Sequence, residues 1–202
     1  EVKSSNGVLS IGAEDNIGKA DSKLIKVYFD NKLRSIEASS ASDISAKEQL
    51  VFESTSIDAS SAADIKINIK ADELEVDASS GSDIELIANS KNIKINASSS
   101  ADINIEGDNK ILNASASSGA EIDIAGISKN VELEATSGSE IDAKDLEAKN
   151  VKAKASSGAS IDCYPVDQLE ATASSGASIR YHKNPSKNVS SQSTSGGSVK
   201  RD

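Results

Sequence analysis

Hydrophobic and polar residues alternate along most of the chain with a period of two. In a representative stretch, one set of alternate positions is apolar or small and comprises Leu74, Val76, Ala78, Ser80, Ser82, Ile84 and Leu86. The positions between them are polar or glycine, namely Glu75, Asp77, Ser79, Gly81, Asp83 and Glu85. Because successive side chains of a β-strand point to opposite faces, this pattern predicts strands with one buried face.

A seven-residue phrase of the type A-S-S-x-x-D-I recurs nine times. The copies begin 18 to 21 residues apart, and every copy ends in Ile or Val. They occupy residues 38–44, 59–65, 78–84, 97–103, 116–122, 135–141, 155–161, 173–179 and 193–199. A fixed period of this length is typical of stacked structural units, and low-complexity disorder would not keep an aliphatic residue at one position in every copy.

Short segments rich in Asn, Asp, Gly and Lys separate the phrases, for example at 89–92, 107–110 and 128–130. Such residues favour turns, so each coil is expected to have two strand segments, a tight bend at the phrase and a looser turn opposite. About 19 residues at roughly 3.3 Å each enclose a perimeter near 60 Å, with coils stacked about 4.8 Å apart. The sequence therefore predicts an all-β parallel solenoid, with nine repeated coils in 34–202 and a single domain over 1–202.

Composition agrees with a narrow interior. Ser, Ala and Gly make up more than a third of the 202 residues, whereas Tyr and Phe total five and Trp is absent. One cysteine excludes an internal disulfide framework, and no apolar run reaches the roughly 18 residues of a membrane span. A net charge of −10 without a basic block argues against a nucleic-acid partner.

The third phrase position is Ser in all nine copies. If the alternation continues through the phrase, this Ser points inward and its hydroxyl satisfies a backbone group near the bend. The alternative is an exposed hydroxyl ladder that binds a ligand. We expect the inward, structural role for Ser40, Ser61, Ser80, Ser99, Ser118, Ser137, Ser157, Ser175 and Ser195.

The phrases, together with S-G-G-S-V-K at 195–200 and I-R-Y-H-K-N-P at 179–185, resemble the head GIN domain family of auto-transporter adhesins. The resemblance covers roughly residues 36–200. It implies a single-stranded right-handed β-helix on an exported protein of the cell envelope, at the outer-membrane surface or in the periplasm. It brings no catalytic residues and no cofactor, and it leaves the biochemical role and the oligomeric state undefined.

The sixth phrase position predicts an exposed acidic column of one carboxylate per coil. Its members are Asp43, Asp64, Asp83, Asp102, Glu121 and Glu140, and the column becomes neutral at Ser160, Ser178 and Ser198. Like charges about 4.8 Å apart repel one another unless solvent, Lys or a cation relieves them. Calcium is the metal hypothesis because it prefers oxygen ligands, and a solvated acidic stripe is the alternative.

Carboxylates about 5 Å apart also suit glycoside hydrolysis, so a polysaccharide-degrading enzyme is a further alternative. However, this spacing repeats along the rod, whereas an active site is a singular constellation. We interpret His182 as a surface histidine and Cys163 as a buried core thiol, since Cys163 falls two residues after Ile161. The prediction is a chain with no enzymatic activity and no cofactor.

The second phrase position forms an outward hydroxyl rank beside the acidic residues. It comprises Ser39, Ser60, Ser79, Ser98, Ser117, Thr136, Ser156, Ser174 and Thr194. Its scarcity of Thr argues against an ice-binding face. A repetitive polar wall suits weak, multivalent contact with a glycan or another surface polymer, and an inert solvated wall is the alternative.

Residues 1–33 do not contain the repeated phrase. Strands are expected at 8–11 and 24–29 with a turn-rich segment at 12–23, and we interpret them as atypical opening coils or a cap. The chain begins without Met or a signal peptide, as expected for a processed or trimmed product. Overall, the sequence predicts a non-enzymatic exported module that serves as an adhesin or a structural stalk.

Overall fold

The described strands of the N-terminal unit form a small antiparallel hairpin. The computed structural model describes residues 2–12, 24–29 and 33–202, and the chain forms two compact units, Glu1–Asp30 and Asn31–Asp202. In the first unit, β1 (Val2–Ser5) pairs with β2 (Val8–Ile11) in antiparallel register. The predicted strand at 8–11 is confirmed, but its antiparallel partner was not foreseen.

The second predicted strand of this region is wrong. Residues 24–29 form no strand, although their side chains are exposed and mostly apolar. The predicted turn-rich segment lies, apart from Gly12, outside the described residues. The role of residues 1–33 as a cap and the single domain over 1–202 stay predictions.

The second unit is a parallel β-solenoid of about nine turns with about 19 residues per turn, as predicted. Every strand pairing in it is parallel, and the described residues contain no helix. The right-handed sense of the coil stays an expectation from the resemblance. The strands are β3 (Ser35–Ala38), β4 (Asp43–Ser45), β5 (Leu50–Ala59), β6 (Asp64–Ala78), β7 (Asp83–Ala97), β8 (Asp102–Ala116), β9 (Glu121–Ala135), β10 (Glu140–Ala155), β11 (Ser160–Ala173), β12 (Ser178–Tyr181), β13 (Asn188–Ser193) and β14 (Ser198–Arg201).

The two bends of each coil differ in kind. The tight bend at the phrase interrupts the strands, whereas β6 to β9 each run for 15 residues straight through the Asn/Lys segment. The looser turn is therefore a bend within a continuous ladder, with register shifts where β10 meets its neighbours. Each coil thus has two limbs, one after the phrase and one before the next phrase.

Stacked aliphatic side chains form the core. The phrase-ending Ile65, Ile84, Ile103 and Ile122 lie in register from coil to coil, and each is at most 1% exposed. Burying such a side chain contributes about 1.5–3 kcal/mol. Alanines such as Ala97 fill the narrower side toward the tight bend, and Phe52 is the aromatic residue in the described core. This explains why so few aromatic residues suffice.

Candidate functional site

The tight bend is a turn of two left-handed residues. Ser80 and Gly81 have φ angles of 57° and 67°, and the third-position Ser of every phrase likewise has positive φ. Two successive residues of this kind are typical of a type I′ turn. The pattern of alternating faces therefore stops at the second phrase position and resumes at the fifth.

The prediction for the third-position serines is consequently wrong. All nine are exposed at the tip of the turn instead of pointing inward. The residues concerned are Ser40, Ser61, Ser80, Ser99, Ser118, Ser137, Ser157, Ser175 and Ser195.

The hydroxyl that hydrogen-bonds backbone groups at the bend comes from the fifth phrase position and not from the third. Ser82 is 1% exposed, and its hydroxyl accepts a hydrogen bond from the Ser79 N–H at 3.1 Å and donates one to the Ala59 carbonyl at 3.0 Å. Ser139 makes the equivalent contacts with Thr136 and Ala116. Ser42 is a third Ser at this position, but five coils have Ala and the last has Gly197, so this position requires a small side chain more than a hydroxyl.

The second-position hydroxyls form one column immediately before the turn. Each coil's backbone hydrogen-bonds the next, as in the 3.0 Å bond from the Ser79 N–H to the Ala59 carbonyl. Ser39 and Thr194 at the two ends are exposed, and the other seven are half-buried: Ser60, Ser79, Ser98, Ser117, Thr136, Ser156 and Ser174. The turn separates this rank from the acidic residues, so the two columns border the turn from either side. They do not share one strand face.

The acidic column is assembled in strict register. Asp43, Asp64, Asp83, Asp102, Glu121 and Glu140 lie opposite one another on successive strands, and all six are exposed. Partial burial raises the pKa of Asp83, and the neighbouring Asp64 and Asp102 raise it further. The pKa of Glu121 is raised by burial and then by surrounding carboxylates. The predicted repulsion along the column thus has a measurable consequence.

A second polar column, two residues further along each strand, was missed. It contains Glu85, Asp123 and Asp142, and burial together with Asp142 raises the pKa of Asp123. Lys66 pairs with Glu85 at 2.5 Å, and Lys144 pairs with Asp142. Among the described residues, no group of three or more His, Cys, Asp or Glu side chains is arranged to hold a metal ion. Calcium binding stays a hypothesis.

A singular polar cluster lies near the C-terminal end. The Asp162 side chain, 9% exposed, accepts bonds from Arg180 Nε at 3.0 Å and Nη2 at 3.1 Å, and lies 2.8 Å from His182 Nε2. The other ring nitrogen of His182 is 3.2 Å from Asp202. His182, interpreted from the sequence as a surface histidine, is partly exposed, but its contacts with Asp162 and Asp202 were not foreseen.

Cys163 is confirmed as a buried core thiol. It is 1% exposed, and burial, with a smaller contribution from Asp162, raises its pKa to about 12. A thiol that stays protonated at neutral pH is a poor nucleophile.

A groove runs along the limb that precedes each phrase, and it too was missed. One side is an amide column of Asn92, Asn130, Asn150, Gln168 and Asn188, interrupted by Ile111. The other side is a charged column of Glu75, Lys94, Glu132, Lys152 and Glu170, with Asn113 between Lys94 and Glu132. Part of the groove, from Ile111 to Ser190, has a volume of about 430 Å³. Of these amides, the sequence predicts a role only for Asn92 and Asn130, both in turns.

Comparison with known proteins gives one family. Within the described ranges, no helix is long and apolar enough to cross a membrane. No curated protein matches the chain. One family model, described as "Putative auto-transporter adhesin, head GIN domain", matches twice, over residues 1–107 and 87–185. The two matches overlap and together cover most of the chain, so this protein belongs to the head GIN domain family, as its phrases indicated.

Proposed function

We propose that this protein is a non-enzymatic module of an exported cell-envelope protein, acting as an adhesin or a structural stalk. Its repeated hydroxyl rank and acidic column would contact a glycan or another surface polymer weakly and at many points. The family description supports an adhesin-like role. A polymer partner and a location at the cell envelope are part of the proposal.

The coil register is the observation that carries this proposal. Asp64, Asp83 and Asp102 stand directly opposite one another, so the same chemical group is presented once per coil. Repeats about 4.8 Å apart let one polymer chain make several contacts at once. Weak individual contacts then combine into useful avidity because later contacts form at a high effective concentration.

The cluster at Asp162 contains no activated thiol, because the neighbouring Cys163 is buried and protonated. The Asp162 carboxylate is paired with Arg180 and lies beside His182. These groups are committed to one another in a way that stabilises adjacent coils. The repeated columns, in turn, offer many equivalent positions without a distinct catalytic geometry.

A glycan array with the purified chain tests the proposal. The informative variant carries Ser98→Ala, Ser117→Ala, Asp102→Asn and Glu121→Gln, which removes hydroxyls and charges from two adjacent coils. A matched control carries Glu106→Gln and Asp108→Asn, exposed charges of the same solenoid outside both columns. We expect binding that the control retains and the recoded variant loses. Binding unaffected by recoding would reject the proposed face.

Cation binding at the acidic column is the second candidate, favoured by the register that places Asp64, Asp83 and Asp102 opposite one another. A bound cation would relieve the like-charge repulsion that contributes, after burial, to the raised pKa values of Asp83 and Glu121. Calorimetric titration with CaCl₂ decides this: saturable heat that disappears in the Asp102→Asn, Glu121→Gln variant supports a site. Absence of heat at millimolar metal rejects it.

A further inference from the structure

The groove between the amide column and the charged column has the features of a second binding surface. Its residues come from consecutive coils, so an amide beside a charged side chain recurs along the stacking direction in every coil from Asn92 to Gln168 except that of Ile111. Val131 and Val151 lie between the two columns and belong to the core, each being 4% exposed. The accessible lining is therefore polar on both sides, and it extends along the stacking direction.

The amide column retains unused hydrogen-bonding capacity. Asn150 Nδ2 donates to Asn130 Oδ1 at 2.8 Å, and Asn92 Nδ2 donates to Glu73 Oε1 at 2.6 Å. A primary amide has two N–H donors and a carbonyl with two lone pairs, so one bond to a neighbour leaves further donors and acceptors. Gln168, which follows in the same column, is exposed. The column can therefore both donate to and accept from a hydroxyl-rich ligand.

Charges on the opposite side of the groove largely offset one another, leaving Glu170 in excess. Lys94 Nζ lies 2.7 Å from Glu75 Oε1, and Lys152 Nζ lies 3.0 Å from Glu132 Oε1. Hydrogen bonding to Lys152 lowers the pKa of Glu132. The alternating signs leave no single-sign field, unlike the acidic column on the other limb. Such a surface discriminates little in favour of a polyanion or a polycation and suits an uncharged partner.

Ile111 adds an apolar contact within the groove. It occupies an amide-column position between Asn92 and Asn130, and it is 42% exposed. The adjacent Leu112, which is 0% exposed, fills the core position of the same coil. The core therefore does not require an apolar residue at Ile111. An exposed aliphatic side chain among amides matches the mixed C–H and hydroxyl surface of a sugar ring.

We propose that this groove binds an uncharged linear polysaccharide lying along the stacking direction, with hydroxyls on the amide column and a ring face on Ile111. The inference rests on the proposed polymer-binding function and assigns it a partner class and a second surface. It differs from the face bordering the tight turn, because that face is acidic and the charges of the groove largely offset one another.

Affinity electrophoresis in native gels tests this inference. The probes are three uncharged polysaccharides (dextran, a linear β-glucan and a mannan) and one anionic polymer, polygalacturonate. The groove variant is Asn150→Ala with Gln168→Ala. The matched control is Glu147→Ala with Lys149→Ala, two exposed residues that belong to neither proposed surface and whose joint removal leaves the net charge unchanged. A third variant, Ser156→Ala with Ser174→Ala, changes the turn face on the same two coils. We expect at least one uncharged polymer to retard the wild type, with affinity about tenfold weaker for the groove variant, since each lost hydrogen bond contributes severalfold.

Ile111→Asn is a second variant that removes no hydrogen bond and continues the amide column. It should keep the melting temperature of the wild type while weakening binding about threefold or more, as expected for a lost apolar contact. Melting curves of all variants separate lost binding from lost folding.

Four results would overturn the inference. One is no retardation of the wild type by any uncharged polymer, and another is unchanged affinity in both groove variants. The third is loss of binding in the turn-face variant Ser156→Ala, Ser174→Ala with retention in the groove variants, which would leave the proposed function standing on the turn face. The fourth is retardation by polygalacturonate alone, which would reject the groove as a binding site but not polymer binding by this protein. If no polymer retards the wild type and the glycan array also shows no binding, both the groove and the proposed function are rejected.

Discussion

The close approach of two stacked glycines provides the sharpest test of the coil register. Gly126 lies opposite Gly107 and has a φ of 126°, a conformation that residues with a side chain rarely adopt. A Cβ atom added to Gly126 would lie 2.1 Å from the Gly107 carbonyl oxygen and 2.8 Å from its carbonyl carbon. These are backbone atoms of the neighbouring coil, so Gly126→Ala requires one coil to move.

The expected cost has two parts. Backbone strain in such a conformation costs about 1–3 kcal/mol, and overpacking against a rigid neighbour costs about 1–3 kcal/mol more. Gly126→Ala should therefore reduce the free energy of unfolding by about 2–6 kcal/mol. Gly138→Ala is the matched control, because Gly138 has a φ of 70° and no heavy atom within 4 Å of the added Cβ. It should cost only about 1–2 kcal/mol.

Urea denaturation followed by far-ultraviolet circular dichroism measures both variants under one set of conditions. The wild type, Gly126→Ala and Gly138→Ala are compared by midpoint and slope, since a changed slope would indicate lost cooperativity between coils. The account requires the larger loss in Gly126→Ala. Equal losses in the two variants would show that Gly107 and Gly126 are not stacked as described.

Further predictions concern single coils. Ser82→Ala should change the free energy of unfolding by less than about 1 kcal/mol in urea titration, because the Ser79 N–H keeps its bond to the Ala59 carbonyl. Asp83→Asn with Glu121→Gln should stabilise the chain at pH 7, since burial and like charges raise both folded-state pKa values. That gain should vanish as pH falls through the raised pKa values, because the wild-type carboxylates then become protonated. Melting curves measured across pH test this, and a gain that stays constant with pH would contradict it. Asp162→Ala should cost about 1–2 kcal/mol, reduced from the value for a fully buried pair because Arg180 is half exposed, and an unchanged melting temperature would contradict this. Cys163 should react with Ellman's reagent only on unfolding, whereas rapid labelling of the native chain would show that it is accessible.

The repeat period determined how much of the fold could be predicted from the sequence. Ile84 and Leu86 follow strict alternation and are buried, as expected. Alternation failed at Ser80 because two successive left-handed residues reset the phase, and no count of hydrophobic positions reveals a φ angle. A clue existed at the fifth position, such as Ser82, where the nine phrases contain only Ser, Ala or Gly.

A candidate surface could be predicted from the sequence where the same residue type recurs at one position of every coil that forms it. The acidic column could be located because Asp or Glu recurs at one phrase position in six coils. The amide column could not, because Asn, Ile and Gln alternate there and Asn also favours turns. Asp162 and His182 are 20 residues apart in the sequence and meet because their coils are adjacent in the stack. The exact register between those coils cannot be read from the sequence.

Polymer-length dependence of binding tests the central claim most directly. If identical side chains on successive coils bind one polymer, affinity for a series of oligosaccharides of the bound glycan should rise steeply with length, until the ligand spans the roughly 40 Å formed by nine coils about 4.8 Å apart. Beyond that length the affinity per chain should level off. A short oligosaccharide that binds as tightly as the long polymer would show a single discrete pocket and contradict multivalent binding along the solenoid.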